Sequence, residues 1–137
     1  MKYKILIVDD EESIVNALTR YLSLYDYDVV GVTSPEEALA LVKKDNIMVV
    51  ISDIMMPGMS GIELLAEIKE FNGMVQVIMA TGVVKIENVL ECLRLGANHC
   101  FLKPLDDLSL VKDAVDEAIG RLARWEELIR SMVKRKG

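Results

Sequence analysis

The stretch VVISDIMMPGMSG, Val49 to Gly61, decides how the rest of the chain is read. Four of its first five residues suit a buried strand, yet the run stops on Asp53 and then bends through Pro57 and Gly58, residue types that favour turns. A single aspartate after a strand is usually a turn former or a helix cap. Whether it is more than that depends on how the other strands end.

Outward from this stretch, short runs rich in valine and isoleucine alternate with amphipathic segments. KILIVDD (Lys4 to Asp10) precedes a helical segment near Glu12 to Tyr25, in which Ile14, Leu18 and Leu22 recur at helical spacing. YDVVGV (Tyr27 to Val32) precedes a helix from Pro35. That helix opens with Ser34 as cap, proline at the first helical position and Glu37 three residues after the cap. After VVISD come a helix following Gly61 (IELLAEIKEF), the run MVQVIMAT, a helix around Lys85 to Leu95 closed by Gly96, the run CFLK, and a last helix from about Asp106. Five strands alternating with five helices predict an α/β fold. A parallel crossover needs a helix and both sheet faces must be covered, so the sheet is doubly wound.

Length and composition agree with one domain. A chain of 137 residues, 52% hydrophobic, fills one core and leaves no room for a second globular domain. No apolar run reaches the roughly 20 residues that span a bilayer, and the N-terminus turns acidic where a signal peptide stays apolar, so a soluble, cytoplasmic protein without membrane contact is expected. Cys92 and Cys100 have no metal-ligand spacing and read as core thiols. A net charge of -6, from 22 acidic and 16 basic residues, argues against a surface for nucleic acid.

In an open parallel sheet the functional crevice lies beyond the carboxyl ends of the strands. Strand one ends in Asp9 and Asp10, strand three in Asp53, strand four in Thr81 and strand five in Lys103. Carboxylates about 4 Å apart repel by roughly 4 kcal/mol at an effective dielectric near 20, so the three aspartates need a counter-charge. Lys103 supplies one. A hard divalent cation held by carboxylate oxygens, a backbone carbonyl and waters supplies more, and Mg²⁺ binds in that way. Lys103 and the Thr81 hydroxyl could then hold phosphoryl oxygens, with Asp53 on the central strand as a carboxylate nucleophile forming an acyl phosphate.

These residues resemble the receiver domain of two-component response regulators, over roughly residues 3 to 120. VDDE (Val8 to Glu11), DIMMPGMSG (Asp53 to Gly61), ATG (Ala80 to Gly82) and GANHCFLKP (Gly96 to Pro104) fall in the family's order and spacing. The resemblance implies a flavodoxin-like five-stranded sheet of order 2-1-3-4-5. It implies that Asp53 takes a phosphoryl group from a sensor histidine kinase or a phosphotransfer protein. It also implies direct metal binding by Asp10, Asp53 and the Met55 carbonyl, Asp9 joining the metal site mostly through water, with Thr81 and Lys103 on the phosphoryl group, and a cis peptide between Lys103 and Pro104. The protein so described is a signalling switch that acts through protein contacts, and it catalyses only its own phosphorylation and dephosphorylation. A dimerising receiver fragment of a larger regulator or hybrid kinase is the alternative.

Three positions depart from the family pattern. Receivers usually carry an aromatic residue three positions before the lysine, where this chain has Cys100. Phe101, one residue later, is expected to point to the other face of the sheet. Met55 and Val83 are apolar where some relatives orient water, which predicts slow self-dephosphorylation. From Leu108 the residues Val111, Val115, Ala118, Leu122, Trp125, Ile129 and Met132 recur at steps of three and four, so the last helix is expected to run past the receiver. Residues 1 to 120 are read as the receiver and 121 to 137 as a helical extension, with Gly120 at the junction. The extension pairs with a second copy, folds back on its own domain, or leads onward.

Other classes are weaker. Aspartyl-phosphatases place a DxD after the first strand, where this chain has VDDE. A flavin module would meet an acidic loop that repels its phosphate. A redox sensor at Cys100 lacks activating neighbours other than His99.

Overall fold

The computed structural model describes residues 3–82, 85–104 and 106–136. Five parallel strands, β1 (Lys4–Val8), β2 (Asp28–Val32), β3 (Val49–Asp53), β4 (Gln76–Thr81) and β5 (His99–Leu102), form one sheet in the order β2-β1-β3-β4-β5. They alternate with α1 (Glu12–Ser23), α2 (Pro35–Asp45), α3 (Gly61–Phe71), α4 (Ile86–Arg94) and α5 (Leu108–Lys136). The strand order and the doubly wound, flavodoxin-like arrangement are those expected from the sequence.

Side chains along each strand point alternately to the two faces, and each face has its own core. On one, Leu6, Val8, Val50, Val77 and Met79 pack with Val42 of α2, Leu64, Leu65 and Ile68 of α3, and Cys92 of α4. On the other, Ile5, Ile7, Val49, Ile51 and Ile78 pack with Val15, Leu18 and Leu22 of α1 and Val111, Val115, Ala118 and Leu122 of α5. Each fully buried Leu or Ile stabilises the fold by roughly 1.5–3 kcal/mol relative to exposure. Ile14 is only half-buried, and Val15 takes the deep position beside Leu18.

Local signals set the helix ends. The Ser34 Oγ accepts the Glu37 N–H at 3.3 Å, with Pro35 opening α2. At α3, Ser60 accepts the Glu63 N–H at 3.2 Å while Glu63 accepts the Ser60 N–H at 3.5 Å, a reciprocal cap written as S-x-x-E. Gly96, at φ +98°, ends α4: its N–H donates to the Leu93 carbonyl and the Ala97 N–H to the Cys92 carbonyl. Several boundaries differ by one or two residues from the sequence reading. The first helix stops at Ser23, β4 starts at Gln76, and α5 starts at Leu108. Helix α5 runs through Gly120 without a break. No helix among the described residues is long and apolar enough to cross a membrane.

Candidate functional site

Register brings the polar strand ends to one edge. Val8 lies opposite Ser52, so Asp9 is level with Asp53; Asp53 lies opposite Ala80, and Thr81 opposite Leu102, one residue before Lys103. Every residue of β3 is buried, and the backbone after it is held from several sides. The Ile54 N–H donates to the Ala80 carbonyl at 3.3 Å and the Gly61 N–H to the Ile54 carbonyl at 2.8 Å. Gly61 sits so close to β3 that a Cβ there would lie 1.8 Å from the Asp53 carbonyl oxygen. The loop turns at Gly58, φ +80°, and Glu36 at the start of α2 accepts the Met59 N–H at 3.4 Å.

The Asp53 carboxylate accepts the Met55 N–H on Oδ1 at 3.3 Å and the Lys103 ammonium on Oδ2 at 3.2 Å. Lys103 Nζ also donates to Asp9 Oδ2 at 2.7 Å, and Asp9 Oδ1 accepts the Glu11 N–H at 2.9 Å. The Lys103 N–H donates to the Thr81 carbonyl at 2.8 Å, which ties β5's end to β4's. Asp9, Asp53 and Thr81 are buried, whereas Asp10 is exposed. Asp9, Asp10 and Asp53 each offer an oxygen, all within 4.8 Å of one another. This all-oxygen set suits a hard cation, and the three acids can hold a metal ion.

The electrostatics follow from burial. Burial pushes the Asp53 carboxyl above its ordinary value; the Lys103 charge pulls it down, and the Asp9 charge pushes it up again. For Lys103, burial acts against the charged form. The hydrogen bond to Asp9 and the charges of Asp53 and Asp9 outweigh it and hold the ammonium above the usual lysine value.

Asp9, Asp10, Asp53 and Lys103 are thus gathered in one cluster, and Thr81 ends the neighbouring strand. The Met55 side chain is half exposed beside them; Val83 lies outside the described residues. The Lys103–Pro104 peptide is cis. Cys100 packs in the core that contains Cys92, and Phe101 packs in the opposite one against His99, as strand alternation required. Burial raises both thiols, Cys92 to about 11, which keeps them protonated and unreactive at neutral pH.

The profile of the response regulator receiver domain matches residues 5–115. This chain belongs to that family. As a receiver domain it is a phosphoacceptor signalling module of two-component systems. It is similar to the response regulator protein FleR of Pseudomonas aeruginosa, 32% identical over 93% of this chain and 27% of FleR. The receiver-domain protein of Methanospirillum hungatei has a similar structure, with TM-score 0.84, 27% identity, and coverage of 90% of this chain and 99% of that one. The CheX–CheY–BeF3–Mg complex of Borrelia burgdorferi contains another, with TM-score 0.78, 34% identity, and coverage of 85% and 89%. The chain spans less than half the length of the curated relatives it matches.

Three contributors to this receiver site were not read from the sequence. The steric role of Gly61 depends on how closely α3 approaches β3, which no local pattern encodes. The reciprocal cap of Ser60 and Glu63 was legible as S-x-x-E just before an apolar run. The Glu36 contact to the loop joins residues 23 apart in sequence and had no signal.

Proposed function

We propose that Asp53 is the phosphoacceptor, taking its phosphoryl group from a phosphohistidine of a sensor histidine kinase or phosphotransfer protein. The observation that carries this reading is the Asp9–Lys103–Asp53 cluster, in which the largely shielded Lys103 ammonium bridges the Asp53 carboxylate and a second acid. An Asp53 carboxylate oxygen attacks phosphorus, the bond to the donor's imidazole nitrogen breaks, and an acyl phosphate forms. Lys103 turns its ammonium to the incoming phosphoryl oxygens, and Thr81 donates its hydroxyl to another, so charge is offset where it develops.

Asp9, Asp10, Asp53 and the Met55 carbonyl are the proposed ligands of Mg²⁺. When bound, the ion neutralises phosphoryl and carboxylate charge. A cleft of 550 Å³ beside Lys103, lined by Ile14, Ala17, Leu18, Pro104 and Leu108, gives a donor protein an apolar seat next to the nucleophile.

In this reading residues 1 to 120 form the receiver and 121 to 137 the extension, in a cytoplasmic protein that signals by shape change and protein contact. It is no enzyme beyond its own phosphorylation and dephosphorylation. The partners are the donor, a downstream protein, and a second copy through the C-terminal helix, without direct nucleic-acid binding. The short coverage of the curated relatives favours one second reading, a receiver fragment of a larger regulator or hybrid kinase.

The test is incubation with acetyl phosphate and Mg²⁺ followed by intact mass. One added phosphoryl group on the wild type and none on Asp53→Ala is expected. Equal labelling of both forms would remove Asp53 from the role.

A further inference from the structure

The apolar stripe of α5 changes partner along its length. Val111, Val115, Ala118 and Leu122 face the sheet and are buried. Trp125, Leu128, Ile129, Met132 and Val133 continue beyond the strands' amino ends and are 48–65% exposed. The Tyr3 hydroxyl, just before β1, bonds to Glu126 and marks the level at which the helix passes the sheet's rim. Below that rim Tyr3, Met48, Met74 and Ile129 line a groove of 530 Å³, which also carries Asp28, Asp45 and Glu126 against a single cation, Lys4.

We infer that a second copy of this chain fills this groove, its α5 extension lying antiparallel to the first with its basic pair, Lys134 and Arg135, under the acidic rim. This arrangement rests on the self-association proposed above and fixes its direction. Ile129 lies seven residues, two turns, after the buried Leu122, so it faces the side on which the sheet lies. Packed helices lie about 8–10 Å apart. A parallel partner on that side would need its own upstream helix where this chain's sheet already is. An antiparallel partner rises from below and meets nothing until the rim.

Charge and length fit that direction. With Ile129 level with Met132 of the other copy, each basic end comes level with Trp125 to Glu127 of its neighbour, at the mouth of the groove. Lys134 and Arg135 then meet Asp28, Asp45 and Glu126, and the exposed tryptophan is covered. The two-fold relation repeats both contacts, so the interface closes on itself as a dimer.

The experiment uses the full chain. Sedimentation across concentration should give a dimer that weakens at least tenfold with Ile129→Glu and with the pair Asp28→Lys and Asp45→Lys, circular dichroism remaining unchanged. Adding Lys134→Glu and Arg135→Glu to that pair should recover most of the loss. In a Cys92→Ser, Cys100→Ser background, oxidising a mixture of chains carrying Asp45→Cys with chains carrying Arg135→Cys should link one to the other. A dimer that ignores the rim reversals and gives no mixed link would overturn the antiparallel arrangement and leave self-association standing. A monomer at every concentration would overturn both.

Discussion

The Lys103 ammonium lies between Asp9 and Asp53, 2.7 Å from one carboxylate and 3.2 Å from the other, with only 12% of its side chain exposed. Removing it leaves two buried acids facing each other, and breaking a buried pair in this way costs about 3–5 kcal/mol. Lys103→Met is therefore expected to lower the metal-free melting temperature. Added Mg²⁺ should stabilise this variant more than the wild type, because the cation restores a counter-charge the wild type already has. Melts with and without Mg²⁺ check this, and equal gains in both proteins would contradict it.

Gly61→Ala places a methyl group inside the van der Waals radius of the Asp53 carbonyl. Strand β3 cannot yield, since all its residues are buried, so α3 must shift. A loss of about 2–3 kcal/mol is expected, with a fall in phosphoryl labelling although no acid has changed. Urea midpoints and intact mass measure the two effects. An unchanged midpoint would mean that the close approach does not exist in solution.

Stability should fall at alkaline pH for a reason separate from the acid site. Burial, then hydrogen bonds to Glu126 and Asp116, raise the Tyr3 and Tyr27 hydroxyls to about 12. Their ordinary value is 10.0. The folded state therefore favours the neutral phenols; this stability is complete below pH 10 and is lost as the pH rises through about 12. Phenolate absorbance alongside circular dichroism should show late ionisation coinciding with unfolding, and Tyr27→Phe should remove one late-titrating phenol.

Met55 presents an apolar, half-exposed side chain at the mouth of the site and offers no group to orient water. An acyl-phosphate lifetime of minutes or longer is expected, shortened by Met55→Asn. Decay of labelled protein in buffer gives the value; a wild-type lifetime of seconds would contradict the expectation.

Most of the fold was legible because a parallel sheet writes itself as apolar runs separated by helical periodicity. Four strand ends carrying Asp-Asp, Asp, Thr and Lys mark the site in the sequence itself. What sequence could not carry was distance. Gly61 looks like an ordinary loop glycine until α3 is placed against β3, and Glu36 like an ordinary first-turn acid until the Met59 loop arrives beside it. The register of β1 on β3, which sets Asp9 level with Asp53, is a property of the sheet. Helix ends slipped by about two residues where no cap was written, as at Ser23, where α1 stops without a glycine.

Helix α4 has one buried residue, Cys92, whereas α3 has four, and Ile86, Leu90 and Leu93 face outward, 55–71% exposed. Its carboxyl end is closed by its own backbone at Gly96, so the helix can travel as a unit without breaking its cap. An element so lightly moored costs little to displace, which gives a small chemical event at the neighbouring strand ends a long lever at the molecular surface.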